Sequence, residues 1–377
     1  MPQHTLLTQY LGAVISWLGF IAVIFFYAHR PPFLSNFPIE KFTAANSTLG
    51  FGAIAAVSRA ASSRREGLIF AANITRVHLT IPEQPIWTEE DVAGLHAKYG
   101  STMTHGSSLA WLGHLHALKW FLSTDLQSIL ILEDDVDWDI RLRSIQIPAA
   151  AAAVRLLANP HHSSETDFWG PLASWDLLYL GHCGDFFPSQ RWKGIPHLTF
   201  PDSTLPVPEN LHPYTQKFLS SIDIPAQNRL VHQTTFPLCT FGYAVTRASA
   251  KRLVHELANR EPDGGCLAYD IRIHEICRDN PDFKCLTVNP ELMHHVDAES
   301  EIGNVDQGRE HGQQGIENTT RRHTPNIACG ARSPALYTDD PDVLNYLASH
   351  AIGDAKTCLP EDMEAVEREM RMRYPYA

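Results

Sequence analysis

Apolar residues along this chain fall into short blocks separated by polar turns, and the blocks alternate between two periods. Continuous or partly β-branched runs at Leu49 to Ser58, Val77 to Ile81, Ile129 to Leu132, Trp175 to Leu180, Cys239 to Thr246 and Cys285 to Val288 predict buried strands. Between them, apolar side chains at Leu109, Leu112, Leu115, Leu118 and Phe121 predict a helix over 104–122. Further helices are expected at Glu66 to Ala72, at the alanine-rich Pro148 to Leu157, at Arg247 to Asn259 and, opened by Leu267 to Asp270, through Cys277. Such alternation predicts a three-layer α/β domain with a central, mostly parallel sheet.

Two regions depart from this rhythm. Leu6 to Tyr27 carries no charge and is long enough to cross a bilayer as a helix, so residues 1–28 are expected to be a short stub plus a transmembrane anchor. A cleaved signal peptide is the competing reading, but the segment lacks a basic leader and its apolar run exceeds the usual length. Residues 29–48, with Pro31, Pro32 and Pro38, read as a stem, 49–334 as the folded domain and 335–377 as a peripheral tail. Residues 186–237, rich in proline, are expected to be a long and partly irregular insertion facing a substrate.

The strand at 129–132 stops in acid: Glu133, Asp134, Asp135, Asp137 and Asp139 follow it within seven residues. Ligands of open α/β sheets bind at the carboxyl ends of strands. Two ionised groups 4 Å apart repel by about 4 kcal/mol at an effective dielectric of 20, so something must offset the cluster. A divalent cation, Mn²⁺ or Mg²⁺, does so directly and commonly shares its shell with substrate phosphates. The bland alternative is a solvated acidic turn. The basic loop Arg59, Arg64, Arg65 after the first strand is a second place for a nucleotide's phosphates or base, and Gly181-His182-Cys183-Gly184-Asp185 lets a backbone approach a ligand closely. His114 and His116 point away from one another on their helix, so a lone packed histidine is expected there.

The net charge of −12, with no lysine or arginine run, argues against nucleic acid as a partner. Seven cysteines in no zinc-like spacing allow up to three disulfides and one free thiol, with Cys277 and Cys285 close enough to bridge a short loop. Sequons at Asn46, Asn73 and Asn318 favour a secretory lumen, whereas Arg30 and Lys41 after the span mildly oppose it.

With these residues in view, the chain resembles glycosyltransferase family 25, and within it the fungal membrane-anchored members. The resemblance runs from about Leu49 to Ile302. It is carried by the opening strand with its arginine, the Gly106 to His114 approach and Leu132-Glu-Asp-Asp135. Further on it takes in Asp176 to Gly184, Pro237 to Val245, Tyr269-Asp270, Pro290 to His295 and Ser300-Glu-Ile302. It implies a GT-A-like nucleotide-diphosphosugar-binding fold and an inverting, metal-dependent transfer of a hexose, plausibly galactose, from a UDP-sugar to a glycan or glycoprotein acceptor. The setting it implies is a single-pass type II protein of the Golgi or endoplasmic reticulum membrane. Position by position, Asp135 would bind the metal with His295, or His294 as fallback. Glu133 would face the ribose or a metal-bound water, Ser58, Arg59, Asp134, Gly181 and His182 would line the nucleotide-sugar site, and Asp270 would be the base. A helix-capping aspartate would look identical to Asp270 in sequence. Glu301 stands where the family usually has aspartate. A membrane-tethered glycan-binding protein or decayed transferase, and less plausibly a haloacid-dehalogenase-type phosphatase, are the alternatives.

Overall fold

The structure is a computed structural model that describes residues 43–158, 167–187, 189–296, 301–306, 324, 326–333, 336, 368 and 372. The expected anchor, most of the stem and nearly all of the tail lie outside the described residues. Among the described residues no helix is long and apolar enough to cross a membrane.

Strands β1 (Ala53–Val57), β2 (Ser128–Glu133), β3 (Val136–Trp138), β4 (Leu177–Gly181), β5 (His197–Pro201), β6 (Asn228–Gln233), β7 (Gly242–Thr246), β8 (Cys285–Asn289) and β9 (Met293–His295) join one sheet. Its order is β1-β2-β7-β4-β8-β6-β5, with β9 pairing both β3 and β4. The expectation of a mostly parallel sheet is corrected to a mixed one. Strand β2 has parallel β1 on one flank but antiparallel β7 on the other, and β7 is antiparallel to β4 as well. A fully apolar run such as Ile129 to Leu132 reports burial on both faces and is silent about the direction of its neighbours.

The helices are α1 (Arg65–Ile74), α2 (Glu89–Leu95), α3 (His105–Leu122), α4 (Ile147–Ala158), α5 (Ser189–Trp192), α6 (Pro213–Ser221), α7 (Arg247–Arg252), α8 (Tyr269–Asp279) and α9 (Glu301–Asp306). Helix α3 starts where Thr104 accepts the Ser107 N–H, and α7 starts in a reciprocal box between Thr246 and Ser249. Beyond Arg252 the expected helix continues only as a π turn, Leu253–Leu257. The main core packs Trp111, Leu115, Leu118 and Phe121 of α3 with Ile129 and Ile131 of β2, Tyr243 and Val245 of β7, and Ile273 and Ile276 of α8. The intervening positions Leu130 and Leu132, with Ile54 and Ala56 of β1, are equally buried on the other face of the sheet.

Two expectations fail locally. Val77 to Ile81 is no strand: only Thr80 bridges, to Ala55 beside β1. Residues 186–237 are more regular than their prolines suggest, since β5 and β6 extend the sheet and α6 closes a small core of Phe187, Trp192, Phe218, Leu219, Ile222 and Leu230. Arg229 of β6 is buried, pairs with Asp202 at 2.8 Å and donates to the Glu291 carbonyl at 3.0 Å, which pins this extension to the approach of β9. Disulfides join Cys183 to Cys239 and Cys277 to Cys285, Cys329 is also disulfide-bonded, and Cys266 is a buried free thiol.

Candidate functional site

The site forms where β2 ends. Strand alternation sends Glu133 to the face of α3 and α8, and the tight turn at Asp134 and Asp135 aims the next carboxylate the opposite way. Register places Val57 beside Glu133, so Ser58 stands level with Asp134. Its hydroxyl donates to Asp134 Oδ2 at 2.8 Å. Arg64, in the loop leading to α1, pairs with Asp134 Oδ1 at 3.1 Å and also with Asp135 Oδ2.

Arginines partner much of the acidic run. Asp139 forms a two-pronged pair with Arg141 and accepts the Cys329 N–H. Asp137 is fully buried and accepts the Arg332 N–H, while the Arg332 guanidinium donates to the Asp134 carbonyl at 2.7 Å. Arg64, Arg141 and Arg332 supply part of the compensating charge, and burial pushes the Asp137 carboxyl up to about 7. Two of the five acids, Asp137 and Asp139, fasten the 326–333 segment and leave the site to Glu133, Asp134 and Asp135.

Strand β9 brings the histidines. It pairs antiparallel with β3, His295 level with Val136 and His294 with Asp137, and the Val296 N–H donates to the Asp135 carbonyl. His295 Nε2 lies 2.9 Å from Asp135 Oδ2, while buried His294 turns to the other face, 3.6 Å from Glu291. Burial alone would push the Asp135 carboxyl up, but the His295 hydrogen bond and the charges of Arg64, His295 and Arg332 outweigh it and hold it at about 2. Its other oxygen, Oδ1, is buried with no hydrogen-bond partner among the described residues. That orphaned anionic oxygen could hold a divalent ion, with His295 as a second ligand once its Nε2 gives up the contact with Asp135 Oδ2. No group of three or more His, Cys, Asp or Glu residues is gathered to hold a metal among the described residues, so the fit rests on those two ligands alone.

Across the sheet end, Glu133 is about one third exposed, and its Oε1 lies 3.4 Å from His114 Nε2 and 3.5 Å from Thr240 Oγ1. The His114 ring stacks on Tyr269 at 4.6 Å, nearly parallel to it, and its Nδ1 is 3.2 Å from the Tyr243 hydroxyl, itself 3.1 Å from the Tyr269 hydroxyl. Asp270 follows Tyr269 directly. Ala268 is the cap of α8, and Asp270, in the first turn, accepts the Ile271 N–H at 2.8 Å. Burial pushes the Asp270 carboxyl up, and nearby Glu133 adds to the shift against the opposing effect of His114. Carboxylate, imidazole and Asp270 thus belong to one neighbourhood.

Two residues expected to line the nucleotide-sugar site are packed within the fold. His182 is fully buried, with one ring nitrogen 2.9 Å from the Val288 carbonyl and the other accepting the Gly184 N–H, so it presents no nitrogen to a ligand. Gly181 is packed between strands; a Cβ there would lie 2.8 Å from Met293 Cβ and 3.1 Å from Gly242 Cα. Arg59 is half-buried, and Arg64, five residues on, pairs with Asp134 and Asp135. His114 is the residue sequence reasoning passed over. Its signal was its place on the apolar face, three residues after Trp111 and four before Leu118. His116, by contrast, packs edge-on against Trp87.

No protein-family model matches the chain, and no curated protein sequence matches it.

Proposed function

We propose that this chain is an inverting glycosyltransferase that moves a hexose from a UDP-sugar to a glycan or glycoprotein acceptor from a GT-A-like domain. The observation that carries the reading is the carboxyl end of β2, where Glu133, whose charge with burial raises the Asp270 carboxyl, is followed two residues on by the Asp135–His295 pair. A carboxylate with a raised pKa is a better base than an ordinary one. In the proposed step, Asp270 takes the acceptor hydroxyl proton as that oxygen bonds the anomeric carbon and the bond from that carbon to the diphosphate breaks. His114, held by Tyr243 and Tyr269, orients Glu133 toward the bound sugar nucleotide. Asp135 and His295 would hold Mn²⁺ or Mg²⁺, which when bound supplies charge neutralisation for the departing diphosphate.

One observation favours a second reading. Arg64 already satisfies Asp135 on one oxygen, as suits a protein that binds glycans with neither metal nor turnover. A screen of UDP-sugars with and without Mn²⁺ separates the two. The transferase reading expects metal-dependent release of UDP, accelerated by a glycan acceptor and lost in Asp270→Asn. Absence of turnover and of thermal stabilisation by every UDP-sugar would leave the glycan-binding reading. The same reading places the chain in a secretory membrane as a type II protein, with its amino-terminal segment as anchor.

A further inference from the structure

The sequon Asn46-Ser47-Thr48 lies in a tight turn ahead of β1. Asn46 is exposed, and its Oδ1 accepts the backbone N–H of Thr48 at 3.2 Å and of Gly50 at 2.7 Å. Two backbone donors fix which end of the amide is oxygen. The Nδ2 end is left over and makes no hydrogen bond among the described residues. Glycosylation of asparagine uses that nitrogen and needs a surface position.

The same turn carries one wall of a cleft. Gly50, at φ +83°, meets the Phe168 ring so closely that a Cβ would lie 2.1 Å from Phe168 Cδ1. Phe168 in turn meets Trp169 edge-on at 5.7 Å, and Trp169 stacks on Phe51 at 5.1 Å and donates its indole N–H to the Leu49 carbonyl at 2.8 Å. These contacts fix the rings against the sequon turn. The cleft between them has a volume of about 480 Å³, the size of a small-molecule site, and Asn46, Gly50, Phe168, Trp169 and Leu172 stand in its wall. Ser128, the first residue of β2, lines it too, so it lies at the opposite end of that strand from Glu133 and the candidate site.

We propose that Asn46 carries an N-linked glycan whose first N-acetylglucosamine lies in this cleft against Phe168. In the modification, Nδ2 exchanges one hydrogen for a bond to the anomeric carbon of the sugar, the lipid diphosphate of the donor oligosaccharide leaves, and the proton passes to water. Oδ1 is untouched, so both backbone bonds of the turn persist. A pyranose ring has an apolar C–H face that packs on an aromatic face and buries surface the cleft otherwise shows to water. Asn73, exposed in the last turn of α1, is outside the cleft wall and serves as the contrast. The proposal requires a secretory lumen, which the Cys183–Cys239 and Cys277–Cys285 disulfides favour independently of any transfer chemistry.

Peptide mass spectrometry of the full chain from a eukaryotic secretory host reads which sequons carry sugar. Thermal melts then use the Asn73→Gln/Asn318→Gln variant in three forms: untreated, trimmed by an endoglycosidase to one N-acetylglucosamine, and stripped by a peptide N-glycosidase. Stripping leaves an aspartate, whose oxygens still accept both backbone N–H groups, so the comparison isolates the sugar. The expected result is an occupied Asn46, a one-sugar form that melts with the untreated protein, and a stripped form that melts lower by at least about 2 °C. Phe168→Ala should abolish that gap. Sugar on Asn73 or Asn318 with Asn46 bare would overturn the site and keep the lumenal setting, and sugar on no sequon would overturn both. One-sugar and stripped forms that melt together, or a gap that survives Phe168→Ala, would overturn the seat in the cleft. UDP-sugar turnover enters none of these readings, so the proposal fails or stands apart from the transferase.

Discussion

Arg64 holds Asp135 on the oxygen that His295 also approaches, and its second nitrogen holds Asp134 at 3.1 Å. One guanidinium thus occupies the position between two buried carboxylates that a divalent ion would otherwise have to neutralise. A two-pronged group with a permanent charge suits that task better than an ammonium. Arg64→Gln should cost about 3 kcal/mol of stability, because breaking a buried pair leaves charge uncompensated. Mn²⁺ should raise the melting temperature of the variant more than that of the wild type. Thermal melts with and without the ion check this; equal stability of the two proteins, with no response to Mn²⁺, would remove arginine compensation from the account.

His114 is positioned by Tyr269 and Tyr243, and what it positions is Glu133. His114→Phe keeps a flat ring against Tyr269 but loses both nitrogens. The expected result is a fall in kcat/KM of roughly 10–100-fold, about 1.4–2.8 kcal/mol of transition-state stabilisation. The circular dichroism spectrum should not change. A variant with unchanged kinetics would mean that the Glu133 contact is only packing.

Asp270 carries the acid–base chemistry in the proposed reaction. Removing a general base typically costs 10²–10⁴-fold in rate, so Asp270→Asn should lose transfer by that order while UDP binding stays. Burial and Glu133 raise the carboxyl above its ordinary value, so the wild-type acid limb should lie above the usual carboxylate range, with activity falling as pH drops through it. A pH–rate profile of kcat/KM reads this directly, and an acid limb at an ordinary carboxylate pKa would contradict it.

Asp185, under the exposed loop, offers a stability test separate from catalysis. Burial pushes its carboxyl up to about 7, against opposing hydrogen bonds from Thr234 and the Phe186 N–H. The folded protein therefore binds more protons here than the unfolded chain between about pH 4 and pH 7, and this group's contribution to stability falls as pH rises through that window. Asp185→Asn should flatten that part of the stability profile measured by urea denaturation, leaving the acid side unchanged. A variant whose profile parallels the wild type would show the carboxyl to be ionised throughout.

Glu261 provides the opposite sign. Its carboxylate is buried and accepts the backbone N–H groups of Ala97, Thr102 and Cys266, which, with Ser101, hold it at about 2 despite burial. Its contribution is present above the ordinary glutamate pKa and is lost as pH falls through about 2. Glu261→Gln should cost about 2 kcal/mol, in line with losing hydrogen bonds to a charged group. It should also loosen the loop that leads into α8 and Asp270. Denaturant melts at pH 7 and pH 3 check both parts, the difference between variant and wild type shrinking at the lower pH.

Much of the fold was legible because burial writes itself into period. Ile129 to Leu132, Trp175 to Leu180 and Cys285 to Val288 announced β2, β4 and β8, and the leucines of 109–118 announced α3. Sheet direction was not legible, since β7 reads as a buried strand whichever way it runs. The extension at 186–237 was obscured because its prolines sit at turns and helix starts, such as Pro208 and Pro213, or, as Pro201, at the end of edge strand β5. At the site, the pairing of Asp135 with His295 follows from alternation along β9. The partners Arg64 and Arg332 were hidden by distance along the chain, because an acidic run shows its own charge and not the charge folded against it, whereas Arg141 stood two residues from Asp139 in plain view. His182 was misleading for a related reason: a histidine next to glycines reads as a ligand contact, whereas here both its nitrogens are spent on backbone.

The central claim is that Asp135, with its unpartnered Oδ1 and His295 beside it, is where a metal-bound diphosphate docks. Isothermal titration of UDP into the wild type and into Asp135→Asn, each with Mn²⁺ and with EDTA, tests it most directly. The account predicts UDP binding that needs Mn²⁺ in the wild type and is lost in the variant. UDP affinity indifferent to both the ion and Asp135, or no UDP binding at all, would contradict it.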